Sequence, residues 1–193
     1  MKNLSVRRSL TLALAVLVAM IGAISGVGFY SNSISSSVID ELSEINIEQT
    51  NTLNRAQVNL LSVRIMLEKA AALSLQSEDE DALAMQQRAQ EALDRATERY
   101  AEFQRVPTSE DSRRDPYVDA VNAAYTELVP QTLQPLLTNS DPDEIRREEQ
   151  RLDDKFAAFD EASRAFVRYV EERGDELIAN DAQSTLIVEI VSI

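Results

Sequence analysis

Apolar residues are distributed along this chain in more than one way. From Leu10 to Tyr30 they run almost without interruption and without a charge, and a helix of about 20 such residues covers a hydrocarbon core of about 30 Å. Further on they return at alternating steps of three and four. Leu53, Ala56, Leu60, Val63, Leu67 and Ala70 form one such stripe, the seam of a helical bundle or coiled coil. Just upstream, Leu42, Ile45 and Gln49 are less regular, which predicts a looser, wetter section. Ala82, Met85, Ala89, Ala92, Ala96 and Phe103 form a second stripe, and Tyr117, Val121, Tyr125, Leu128 and Val129 a third. The most regular is Ile145, Leu152, Phe156, Phe159, Ser163, Phe166, Val170 and Leu177, whose phenylalanines predict the main core ridge.

Polar residues and prolines divide these stripes. Ser77 with Glu80 three residues on reads as a capping box, and the acids that follow Ser77 suit the start of a helix dipole. Pro107 ends the second helix at Val106, and the polar residues from there to Asp115 read as a loop. Asp115-Pro116 and Asp141-Pro142 each put a capping carboxylate before a proline at the first helical position. Pro130 and Pro135 kink or fragment the third helix, and Thr138-Asn139-Ser140 reads as a turn. A long first helix reaches Gln76, two shorter ones follow, and a long fourth helix runs to about Ser184. The fold class expected is all-α, an up-down-up-down antiparallel four-helix bundle with long first and fourth helices, preceded by one transmembrane helix. Two helices alone bury too little in the half near the membrane, so a symmetric homodimer is expected.

The boundaries expected are a tail at 1–9, a span at 10–30, the bundle at 31–184 and the incomplete start of a second span at 185–193. Nine residues interrupted by Glu189 do not cross a bilayer as a helix. Lys2, Arg7 and Arg8 precede the first span, and Asp40, Glu41 and Glu44 follow it. The positive-inside bias then leaves the N-terminus in the cytoplasm and the bundle outside. A cleaved signal peptide is the competing reading. Its apolar region is shorter, about 7–15 residues, and ends at a small-x-small site, for which Ser31-Asn32-Ser33 is a weak candidate.

Composition narrows the chemistry. Acids outnumber Lys and Arg by 33 to 19, a net charge of −14, which repels nucleic acid rather than neutralising it. With no cysteine and no histidine, disulfides, thiolates, the commonest general base and Ser-His triads are all absent. Gly174 is the only glycine outside the apolar run and its edge, so no glycine-rich phosphate loop exists. Asp153-Asp154 and Glu171-Glu172 are sequence neighbours that point to different parts of a helix surface, not the facing pair of a glycoside hydrolase. The acids from Glu78 to Asp81 lack the alternation and the glycine of a calcium loop. Neither an enzyme nor a metal or cofactor is expected. Arg64 flanks the first seam at an e-like position, where it can clamp a carboxylate through two nitrogens or pair with a glutamate. Lys69, Arg113 and Arg114 read as solvated residues.

A short basic tail, an apolar run ending Gly26-Val27-Gly28-Phe29-Tyr30-Ser31 and a long helix carrying Leu60-Leu61-Ser62-Val63-Arg64-Ile65-Met66-Leu67-Glu68-Lys69-Ala70 resemble the N-terminal sensory part of bacterial methyl-accepting chemotaxis receptors. The class is the one that includes the aspartate and serine receptors. The resemblance implies a homodimeric periplasmic sensor in the inner membrane. Its partner is a small molecule, an amino acid or small organic acid, or else a periplasmic binding protein. A helix shift would carry the signal through the anchor. Arg64 matches the arginine that grips ligand carboxylates in the amino-acid sensors. Lys69 matches a second cation with the fork geometry lost, and Leu73 stands where a third would be. Ser140 to Ile145 fall where polar groups hold the ligand's amino group, and apolar Ile145 speaks against aspartate itself. Two other readings remain: the same module in a histidine kinase or cyclic-dinucleotide enzyme, and a membrane-anchored helical scaffold with no small-molecule ligand.

Overall fold

A computed structural model of the chain describes residues 6–41, 48–105, 113–139 and 141–191, and every regular element among them is helical. It divides into two compact units: Leu42–Arg173, and Met1–Glu41 together with Gly174–Ile193. The latter holds α1, Val6–Glu41. Its segment Thr11–Tyr30 has a mean hydropathy of 2.4, and none of it is buried. Leu12, Leu14, Leu17, Val18, Ile21 and Ile24 are all more than half exposed, although a helix at a protein–water boundary confines its apolar residues to one face. The segment is long and apolar enough to cross a membrane.

The other unit is a bundle of α2 (Thr50–Leu75), α3 (Asp79–Arg105), α4 (Asp115–Leu128), α5 (Gln134–Asn139), α6 (Pro142–Arg147) and the part of α7 (Glu149–Val191) up to Arg173. These elements make four columns, because α4 with α5, and α6 with α7, each act as one interrupted helix. Neighbouring columns run antiparallel. Gln49, just before α2, donates to the carbonyl of Phe103 near the end of α3. The Tyr100 hydroxyl of α3 donates to Asn122 of α4, and Lys155 of α7 reaches Glu127 of α4 at 2.8 Å. The up-down-up-down bundle expected from the stripes is the fold observed.

The helix ends show where local chemistry was read well and where it was not. Asp141 caps α6 as expected: its carboxylate accepts from the Asp143 amide at 2.9 Å and Pro142 follows. Ser77 does not begin α3. It closes α2, with φ 63°, and the amides of Ser77 and Glu78 return to the carbonyls of Ser74 and Leu73 at 3.1 Å. This is the six-to-one and five-to-two pairing that ends a helix on a left-handed residue. Glu78 then accepts the first bond of α3 from Ala82. The capping box is therefore absent, because Ser77 serves the preceding helix. α4 likewise starts one residue early, with Arg114 rather than Asp115 at the cap and no side-chain bond there.

Pro130 has no amide proton to donate. The helix answers with a π-helical turn over Val129–Leu133, and the Thr132 hydroxyl takes the Glu127 carbonyl at 2.8 Å. Thr138 and Asn139, expected in a turn, close α5 instead. A second break separates α6 from α7 at Glu148, where the backbone leaves helical geometry for one residue.

The core follows the stripes closely. Leu53, Ala56, Leu60, Val63, Leu67 and Ala70 have no exposed surface, and Phe159 and Phe166 are equally enclosed. The alanines of the second stripe let α3 lie close to α2, and Met85 is only half-buried. Tyrosines complete what the phenylalanines begin. Tyr100 stacks on Tyr125 with ring centres 3.5 Å apart, Tyr117 stacks on Tyr169, and Phe103 meets Phe166 edge-on. Gln49 is 1% exposed, so the section expected to be wet is closed at that point. Leu42, Ile45, most of the loop from Val106 to Asp115, Ser140 and the tail before Val6 lie outside the described residues.

Candidate functional site

The site is built from α2 upward. Leu60, Val63 and Leu67 turn one face of α2 into the core, and this fixes where the flanking residue Arg64 stands. Its side chain is 28% exposed. Nε lies 2.7 Å from Glu68 Oε1 on the next turn of α2, and Nη2 lies 2.5 Å from Asp153 Oδ1 on α7. The guanidinium carbon sits 5.7 Å from the centre of the Phe156 ring, within cation–π range. The hydrogen bond that Arg64 donates to Glu68, assisted by the charges of Asp153 and Glu149, holds the Arg64 guanidinium above its ordinary pKa despite partial burial. Two turns toward the start of α2, Gln57 donates to Asp160 of α7 at 2.6 Å. Polar ties thus join α2 and α7 at two levels, two turns apart.

A cleft of about 200 Å³ opens beyond Glu68, the partner of Arg64, toward the end of α2; Arg64 itself does not line it. Ala71, Leu75, Ile145 and Leu152 form apolar walls, and Glu68, Arg146 and Glu149 supply charge. Ile145, placed in the ligand region by resemblance, is buried and presents no hydroxyl. Lys69 is exposed and takes part in no ion pair among the described residues. Five residues along a helix correspond to about 140° of rotation, so one chain does not bring Arg64 and Lys69 together.

α2 has a second regular face. Val58, Leu61, Ile65 and Leu75 stand at 62%, 44%, 63% and 54% exposure, spaced as a heptad seam with Glu68 and Ala72 at the intervening positions. Among the described residues of the bundle unit nothing covers it.

Residues the stripes did not reveal matter too. Asp153, read only beside Asp154, is the partner of Arg64. It is 89 positions away, and only the pairing of columns could have shown it. Arg114, read as a loop residue, is 1% exposed. Burial pulls its pKa down against the favourable charges of Tyr169 and Asp115. Among the described residues no group of acids is placed to hold a metal ion.

The arrangement is one arginine fork at the junction of two long helices, with a small cleft of apolar and charged residues beyond Glu68. Residues 1–174 match the family described as the Tar ligand binding domain homologue. The chain belongs to that family. Membership identifies the bundle as the sensory, ligand-binding domain of a chemotaxis receptor, in agreement with the helical columns and the apolar α1. No curated protein matches the chain.

Proposed function

We propose that this chain is the input region of a transmembrane chemotaxis receptor, with residues 1–9 in the cytoplasm, 10–30 crossing the inner membrane, 31–184 in the periplasm and 185–193 beginning a return span. The bundle binds an amino acid or small organic acid, or a periplasmic binding protein, and passes a helix shift through the anchor. The observation that carries this reading is the fork of Arg64, tied to Asp153 of α7 and to Glu68, which also lines an open cleft between α2 and α7. A ligand there touches both long helices, and it shifts their arrangement only by binding one arrangement more tightly than the other.

The active form is a homodimer paired through the exposed face of α2. With Val58, Leu61 and Ile65 as the seam, Arg64 occupies a g position and Lys69 an e position. In a parallel pair, g of one helix lies against e of the other. Arg64 of one protomer and Lys69 of the partner subunit then face one ligand, although within a chain they diverge.

Thermal unfolding of the full chain in detergent, against a panel of amino acids and small acids, tests the proposal. A rise of several degrees with one ligand, removed by Arg64→Ala and reduced by Lys69→Ala, is the expected result. No shift with any small molecule, with dimerisation intact, would favour the scaffold.

A further inference from the structure

Arg64 is already occupied. Nε and Nη2 are the two nitrogens that together form the side-on fork for a single carboxylate. Here Glu68 holds one and Asp153 the other. We propose that Asp153 is an internal occupant of the recognition site, holding a place that a ligand carboxylate must take, so that ligand entry breaks the Arg64–Asp153 pair between α2 and α7. The inference rests on Arg64 being the ligand contact, as proposed above.

Three features support it. Glu68 belongs to α2, so its displacement leaves the two helices tied as before, whereas displacing Asp153 removes a link between them. The Asp153 side chain is 50% exposed, and ion pairs of that exposure are weak enough for a competing anion to replace. Gln57–Asp160 lies two turns away and stays in place, so ligand entry loosens the α2–α7 seam at one end only.

Asp153 also sets specificity. A neutral ligand gives Arg64 nothing in exchange. A ligand with one carboxylate replaces Asp153 one for one. A dicarboxylate brings its second charge up to the freed Asp153, Glu68 and Glu149, against Arg146 of the cleft and the partner subunit's Lys69. Asp153 thus weighs more against a second ligand charge than against the first.

The test uses the full chain in detergent micelles, with acetate and succinate as probes against chloride at matched ionic strength. The Arg64 Nε–H resonance is followed by NMR. In Asp153→Asn, acetate should bind about two- to fivefold more tightly, the factor an ion pair of this exposure supplies, and succinate should gain more than acetate. Amides in the first turns of α7 should exchange faster in this variant without any ligand. Asp154→Asn, a change at the neighbouring exposed residue, should do none of this. Acetate affinity and α7 exchange that are both unchanged in Asp153→Asn would overturn the inference. If Arg64→Gln nevertheless abolishes acetate binding, the assignment of Arg64 survives that failure. If Arg64→Gln leaves acetate binding intact, both fall.

Discussion

The two faces of α2 obey one spacing and meet different fates. On one, Leu53, Leu60 and Leu67 are fully enclosed by the other columns. On the other, Val58, Leu61 and Ile65 keep between 44% and 63% of their surface. A chain that folded only for itself would place polar residues on the second face. The difference teaches that a heptad pattern reports burial without saying by whom. The first face is completed within the chain, and the second is what the proposed dimer would complete.

Adjacent leucines put this contrast to its sharpest test. Leu60→Ala opens a hole in the core and should cost about 2–5 kcal/mol in denaturant unfolding. Leu61→Ala should change the unfolding of the isolated protomer by no more than about 0.5 kcal/mol, while weakening association measured by analytical ultracentrifugation in detergent. Similar unfolding losses for both would erase the distinction between the faces.

The buried side also titrates. Burial pushes the phenols of Tyr100 and Tyr125 above their ordinary value near 10. For an acid raised on folding, the benefit is complete below the unfolded pKa and is lost as pH rises above it. Stability should therefore be flat near neutrality in this respect and fall above about pH 10. Tyr125→Phe should make that alkaline fall shallower, which denaturant titrations at successive pH values would show.

Smaller effects belong to the ends of the columns. Asp141→Ala removes the cap of α6 beside the proposed ligand cleft and should cost about 1 kcal/mol. Ser77→Gly relieves a left-handed residue at the end of α2 and should stabilise by about 0.5–1 kcal/mol in the same assay. A loss on Ser77→Gly would mean that the serine side chain has a role its backbone does not reveal.

The fold was legible because it depends on periodicity, and nearly every stripe residue from Leu53 to Leu177 lies in the core. Caps were legible where one residue could serve only one helix, as Asp141 does. They misled at Ser77, where three residues separate two helices and the serine is claimed by the first. The site was half legible. Arg64 stands out beside its own stripe, but Asp153 and Phe156 reach it only after α7 is laid along α2, and no local pattern encodes that register. Arg114 was hidden for the opposite reason, because a buried arginine in a polar run has the sequence of an exposed one.

Absence of cysteine makes the decisive measurement simple. Ile65→Cys puts one thiol at the centre of the uncovered face of α2, where a parallel pair brings equivalent positions within disulfide reach. Oxidation of the full chain in membranes should convert most of this variant to covalent dimer, while Gln87→Cys, exposed on α3, stays monomeric. Equal cross-linking at both positions, or none at Ile65→Cys, would contradict the account.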